Sequence, residues 1–151
     1  MRTPQLRWET HRLRVDVRRN EGGIWVAHCL ELNAFAEAGS FRRATEFMGQ
    51  VASQMIQHAA EEGFDPFGLP AQPDVIAEHD ALRQKLAPGD LDPVEDLPEP
   101  PAGVHRVLLD LALNVPIFDR AATEAVRSIP LPPPHVCSHL LTTGSYASVG
   151  R

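Results

Sequence analysis

The chain has 151 residues, 43% of them apolar, which is enough for one ordinary domain with a core and excludes wholesale disorder. Its formal net charge of −6 is unevenly placed: residues 1–43 hold eight Arg against five acids (+3), residues 44–104 two basic residues against twelve acids (−10), and residues 105–151 four against three (+1). That balance argues against a general nucleic-acid coat and suits a solvated protein that binds a partner.

Residues Arg12–Arg18 alternate with a period of two. Leu13, Val15 and Val17 point one way, and Arg12, Arg14, Asp16 and Arg18 the other, which predicts a half-buried strand. Leu6 and Trp8 keep the opposite phase, so a bulge or break is expected near Thr10–Arg12. The polar, glycine-ended stretch 19–23 reads as a hairpin loop into a second strand, Ile24–Leu30, apolar on both faces as a central strand would be. A short third strand is expected over Ala34–Ala38, ending at Gly39.

Ser40 then stands where a helix N-cap belongs. Ala44, Phe47/Met48, Val51, Met55 and Ala59 form one stripe of a helix over Phe41–Glu62, about 30 Å long, with Gly63 as a left-handed cap. The apolar link 64–70 is expected to pack. A second helix is predicted within residues 71–87, over Asp74–Ala87, with Pro73 near its start and Val75, His79, Leu82 and Leu86 on one face. Residues 88–103 are acidic and proline-rich and read as an extended linker.

Residues 104–151 read as a small C-terminal extension. The alternation Val107, Leu109, Leu111, Leu113 and Val115 predicts a strand, although the same residues also suit a helix stopped by Pro116. A short helix is expected over Asp119–Ser128. The run 129–134 breaks regular structure, and the tail is loop-like.

Candidate chemistry is sparse. His135, Cys137 and His139 would share one face of an extended segment, but a closed zinc site needs a fourth ligand. Whether they hold a metal stays open, and no metal or cofactor is assigned. Cys29 and Cys137 lie far apart and make no disulfide framework. Cys29 sits beside Trp25 and Ala27 as a packing residue would, and His28 reads as hydrogen-bonded structure. Gly22-Gly23 precedes a strand, whereas a phosphate loop leads into a helix N-terminus. The chain is therefore read as non-enzymatic.

Arg12, Arg14 and Arg18 on one strand face, with Arg42 and Arg43 at the helix start, form a candidate partner-binding surface for phosphates or an acidic protein patch. Arg at a helix start opposes the helix dipole, which itself suggests a contact for Arg42 and Arg43. No apolar run approaches the roughly 18 residues that span a bilayer, and the N-terminal residues lack an export signal's apolar core. A cytoplasmic protein without membrane contact is expected.

The stretch 21–48 resembles the HicB family. Members share a glycine-led strand of the type G-G-Y-V-A, a C-P-E-L-like turn, a short strand and a T-x-E-E-A helix start. Gly22-Gly23-Ile24-Trp25-Val26-Ala27 matches the first element and Cys29-Leu30-Glu31-Leu32 the second, while Ala44 takes the place of the helix alanine. Asn33-Ala34 stands where the family commonly has Pro-Gly, and Arg42-Arg43 where it has acids. The resemblance covers residues 12–70 and implies an α+β fold: a partly open ferredoxin-like β-β-β-α unit with an antiparallel sheet and one long helix. It also implies an antitoxin-like regulator of a type II toxin-antitoxin system, which occludes a small basic ribonuclease of the HicA type and forms homo-oligomers. The alternative is a stand-alone oligomerisation or scaffold subunit. Residues 105–151 show neither a helix-turn-helix nor a ribbon-helix-helix arm, so DNA binding is left open.

Overall fold

The alternation around Val15 builds the strand on which the rest is assembled. The computed structural model describes residues 6–85, 91–93, 99–118 and 135–143, and this strand runs as β1 (Leu6–Arg19). It is followed by β2 (Trp25–Cys29), β3 (Ala34–Ala38), α1 (Phe41–Glu62), α2 (Pro73–Gln84), β4 (Leu91–Pro93), β5 (Arg106–Phe118) and β6 (His135–Thr143). The strands form one antiparallel sheet in the order β3-β2-β1-β5-β6-β4. The fold is α+β, with the expected β-β-β-α order and one long helix.

Local chemistry explains the turns. The Asn20 side chain accepts from the Ile24 amide at 3.0 Å, and Gly23 takes a φ of 81° in the loop between β1 and β2. Asn33 closes the β2–β3 turn with a φ of 49°, a left-handed conformation that Asn tolerates better than most residues. Ser40 accepts from the Arg43 amide as N-cap of α1, and Gly63 ends that helix at φ 77°. The glycine-ended loop, the Ser40 cap and the Gly63 terminus were visible in the residue types.

β1 and β5 pair over thirteen consecutive positions, from Leu6↔Phe118 to Arg18↔Arg106, without a register shift. The bulge expected near Thr10–Arg12 is absent. Leu6 and Trp8 simply remain on the second face of a continuous strand, where both side chains are exposed. Residues 104–118 are therefore not an extension of a separate N-terminal unit, because β5 lies at the centre of the same sheet. The alternation of 107–115 resolves as a strand.

Leu13, Val15 and Val17 of β1 and the alternate residues 107–117 of β5 face α1, which contributes Phe41, Ala44, Met48, Ala52 and Ile56 to the same core. Trp25 meets Phe41 edge to face at 5.5 Å. The buried stripe of α1 is rotated from the expected one: Phe47 is exposed and Val51 and Met55 are half-buried, while Thr45, Gly49 and Ser53 are buried. The sheet's second face carries α2, which ends at Gln84. Leu30, Ala71 and Leu108 are buried outside the main core.

The link between the helices packs only in part. Phe67 packs on the core beside His11 at 5.3 Å and the Ala71 amide bonds the Leu30 carbonyl, whereas Phe64 and Leu69 are exposed. Residues 88–103 are not a free linker either. Leu91–Pro93 pairs with β6 as an edge strand, a place that tolerates Pro93. The expected helix 119–128 and the run 129–134 lie outside the described residues.

Burial ranks the leucines for mutation. Leu111 is fully buried and Leu69 is 85% exposed. Leu111→Ala is expected to cost about 2–5 kcal/mol in urea denaturation, and Leu69→Ala less than about 0.5 kcal/mol.

Candidate functional site

The residues with chemical character gather on the sheet's second face, where the even-numbered positions of β1 and β5 lie side by side. Arg14 stands opposite Asp110, Asp16 opposite Leu108, and Arg18 opposite Arg106. α2 crosses these positions and adds Glu78, His79, Asp80 and Arg83.

At the centre is a buried ion pair. Arg106 grips Asp16 with two bonds, Nε to Oδ1 at 3.1 Å and Nη2 to Oδ2 at 2.6 Å, with both side chains under 10% exposed. Burial alone would raise the Asp16 carboxyl, but Arg106 and then Arg18 outweigh it and hold the group below its usual range. The Arg106 guanidinium is lowered by burial but raised further by Asp16 and Glu78, so it stays charged. Such a bidentate, charge-assisted pair orients both partners.

Arg14 forms the second node. Its Nε donates to Glu31 at 2.6 Å and its Nη1 to both oxygens of Asp80, at 3.0 and 2.9 Å. Its own amide also donates to Glu31 at 2.7 Å. Burial lowers the guanidinium, yet Glu31 and Asp80 raise it above the ordinary value. Arg83 reaches Asp110 at 2.6 Å and Arg106 reaches Glu78 at 3.3 Å, so three ion pairs tie α2 to β1 and β5.

The five arginines expected to form one partner-binding surface therefore divide. Arg14 is committed within the fold, because acids of α2 and the β2–β3 turn neutralise it. Arg18 is exposed and touches Asp16 at 3.3 Å. Arg42 is exposed and sits 3.7 Å from Glu46, one helical turn on. Arg12 and Arg43 are exposed and form no ion pair among the described residues.

The start of α1 holds a correction of physical interest. No acid lies in its first turn, but Glu99 arrives from the acidic segment and accepts from the amides of Phe41 at 3.2 Å and Arg42 at 3.1 Å. The negative charge that suits a helix N-terminus is present; it is supplied from 58 residues away. Arg42 and Arg43 thus follow a neutralised helix end.

The remaining candidates read as structure. Cys29 is fully buried, and burial pushes its thiol up to about 12, which leaves no thiolate at neutral pH. His28 is half-buried on the second face, bonded to Asn33 at 2.8 Å and stacked on Phe35 at 4.1 Å. Of His135, Cys137 and His139 the strand alone is described: they lie on β6, which is extended as expected. A shallow groove of about 600 Å3 runs between the link and α2, lined by Leu69, Pro70, Pro73, Ile76 and Asp80.

Sequence reasoning did not find Arg106, His79 or Glu99 as partners in these sites. The one local signal was Asp16, an acid set among three arginines on a strand face, which announces an internal pairing. No family model matches the chain, and neither a curated protein nor a solved structure does. Among the described residues no helix is long and apolar enough to cross a membrane.

The Asp16–Arg106 pair generates a pH-dependent expectation. Asp16→Asn leaves the buried Arg106 with only the exposed Glu78 as counter-charge and is expected to cost about 3 kcal/mol in urea denaturation at pH 7. Because the folded-state carboxyl lies below its ordinary value of 3.8, its contribution is complete above that value and fades as pH falls through the folded one. The gap between wild type and Asp16→Asn should narrow below about pH 4.

Proposed function

We propose that the chain is a non-enzymatic, cytoplasmic protein-binding module: an antitoxin-like regulator that occludes a small basic ribonuclease of the HicA type. The observation that supports this reading is that the HicB-like stretch folds as the β-β-β-α unit that the resemblance implies. Gly23 makes the first turn, Asn33 the second, and Ser40 starts the helix. Two sets of opposite charge suit a partner. Arg12, Arg18, Arg42 and Arg43 offer exposed guanidinium groups to an acidic patch. The acidic run that contains Asp90, Asp92, Glu95 and Asp96 imitates the phosphate charge that a ribonuclease binds.

A second reading, a homo-oligomeric scaffold subunit, is favoured by β3. This strand ends the sheet and carries Phe35 at 58% exposure, a combination that suits pairing with another copy.

Affinity capture from the native host at moderate salt, followed by mass spectrometry, separates the two. A small, basic, stoichiometric partner supports neutralisation; recovery of the chain alone or of large assembly components supports the scaffold. With a partner in hand, the amide variant D90N/D92N/E95Q/D96N, which keeps Glu99 on α1, is expected to weaken binding at least tenfold and flatten its salt dependence. Unchanged affinity would remove the phosphate-mimic role.

A further inference from the structure

We propose that α2 is a pH-gated cover of the sheet's second face, released when the buried imidazole of His79 takes up a proton. The proposal stands on how this helix is attached and is independent of the antitoxin reading. Its one buried side chain is His79, at 1% exposure, while Val75, Ile76 and Leu82 are only half-buried. The helix itself buries little apolar surface, although Leu108 is buried on the face it covers. The ion pairs of Asp80, Arg83 and Glu78 do the rest of the holding.

Neither Nδ1 nor Nε2 of His79 has a hydrogen-bond partner among the described residues. A neutral ring already leaves one donor and one acceptor unmet, and a protonated ring would bury two unmet donors and a charge. The charged groups that act on it are Asp16 and Arg14 from β1, Asp110 from β5 and Asp80 of α2 itself; Glu31, Arg106 and Arg83 pair with these, Glu78 pairs with Arg106, and His28 of β2 stands opposite Asp16. The carboxylates do not rescue the cation, because Arg106, Arg14 and Arg83 already claim Asp16, Asp80 and Asp110. Burial lowers the His79 pKa by more than these carboxylates raise it.

The sign follows. A released, solvated His79 returns to about 6.5, so below that pH the released state binds more protons than the closed one. Closure is complete above about pH 6.5 and weakens up to about tenfold per pH unit below it, until the closed-state value is reached. The link is built to permit the motion. Between α1 and α2 the chain carries exposed Phe64 and Leu69, Pro66 and Pro70, and the open groove beside Ile76. It is anchored by Phe67 on the core and by the Ala71 amide on the Leu30 carbonyl, at 2.8 Å, two residues before the helix.

The test is hydrogen–deuterium exchange of the full chain from pH 7.5 to 5.0, corrected for intrinsic rates. Amides of α2 should lose about tenfold protection or more, with α1 and β1 unchanged, and His79→Leu should remove the dependence. Constant protection of α2, an equal loss in α1, or persistence of the effect in His79→Leu would overturn the proposal. So would its disappearance in His28→Asn, the other histidine beside Asp16. Should His79→Leu fail to fold, the ring resonances of wild-type His79 decide: a midpoint below 6.5 that coincides with the shifts of α2 amides supports the cover, and a ring that titrates apart from them refutes it.

Discussion

The antiparallel ladder between β1 and β5 is the constraint from which the other features follow. Thirteen pairs in unbroken register align two strands whose alternation has the same phase, so one face of the sheet collects aliphatic side chains and the other collects charge. The aliphatic face needs a long amphipathic cover, and α1 with its 22 residues provides one. The charged face needs counter-charges, because Asp16 and Arg106 meet near one end of the ladder under a second helix. A one-residue slip would exchange the faces and leave neither helix with a surface it could cover.

Two solutions to charge are used in the same molecule. On the second face, opposite charges are paired and covered by α2, with Arg83 held by one carboxylate and Arg14 and Arg106 by two each. At the start of α1 the backbone itself is the cation, and Glu99 answers it with two accepting oxygens. Both solutions draw acids from the negative middle of the sequence, at Glu78, Asp80 and Glu99. Part of the −10 balance of residues 44–104 is therefore consumed within the fold, and what remains for a partner is concentrated nearer residues 90–96.

The sequence was legible where local chemistry decides the outcome. The bounds of β3 and α1, the Ser40 cap and the Gly63 terminus all follow from residue types within a turn of the boundary. It was illegible where a partner is distant. Nothing around Val107 says that its strand will dock on β1, nothing around Glu99 says that it will cap α1, and Leu6 and Trp8 suggested a bulge because their strand partner was unknown. The candidate site divided for the same reason: Arg14 looks like its neighbour Arg12 until α2 brings Asp80 to it.

The ladder also sets an order of events during synthesis. The Arg106–Asp16 contact beside it joins residues 90 positions apart, whereas β2, β3 and α1 are all within reach of β1 as soon as they are made. A nascent chain can therefore assemble three strands and a helix while the far side of β1 still shows a row of unpaired amides and carbonyls. Closing so distant a pairing is slow compared with helix and hairpin formation. In that interval the open side of β1 accepts β5 from its own chain or from another copy, and the ribosome spacing along the message decides how often the second event competes.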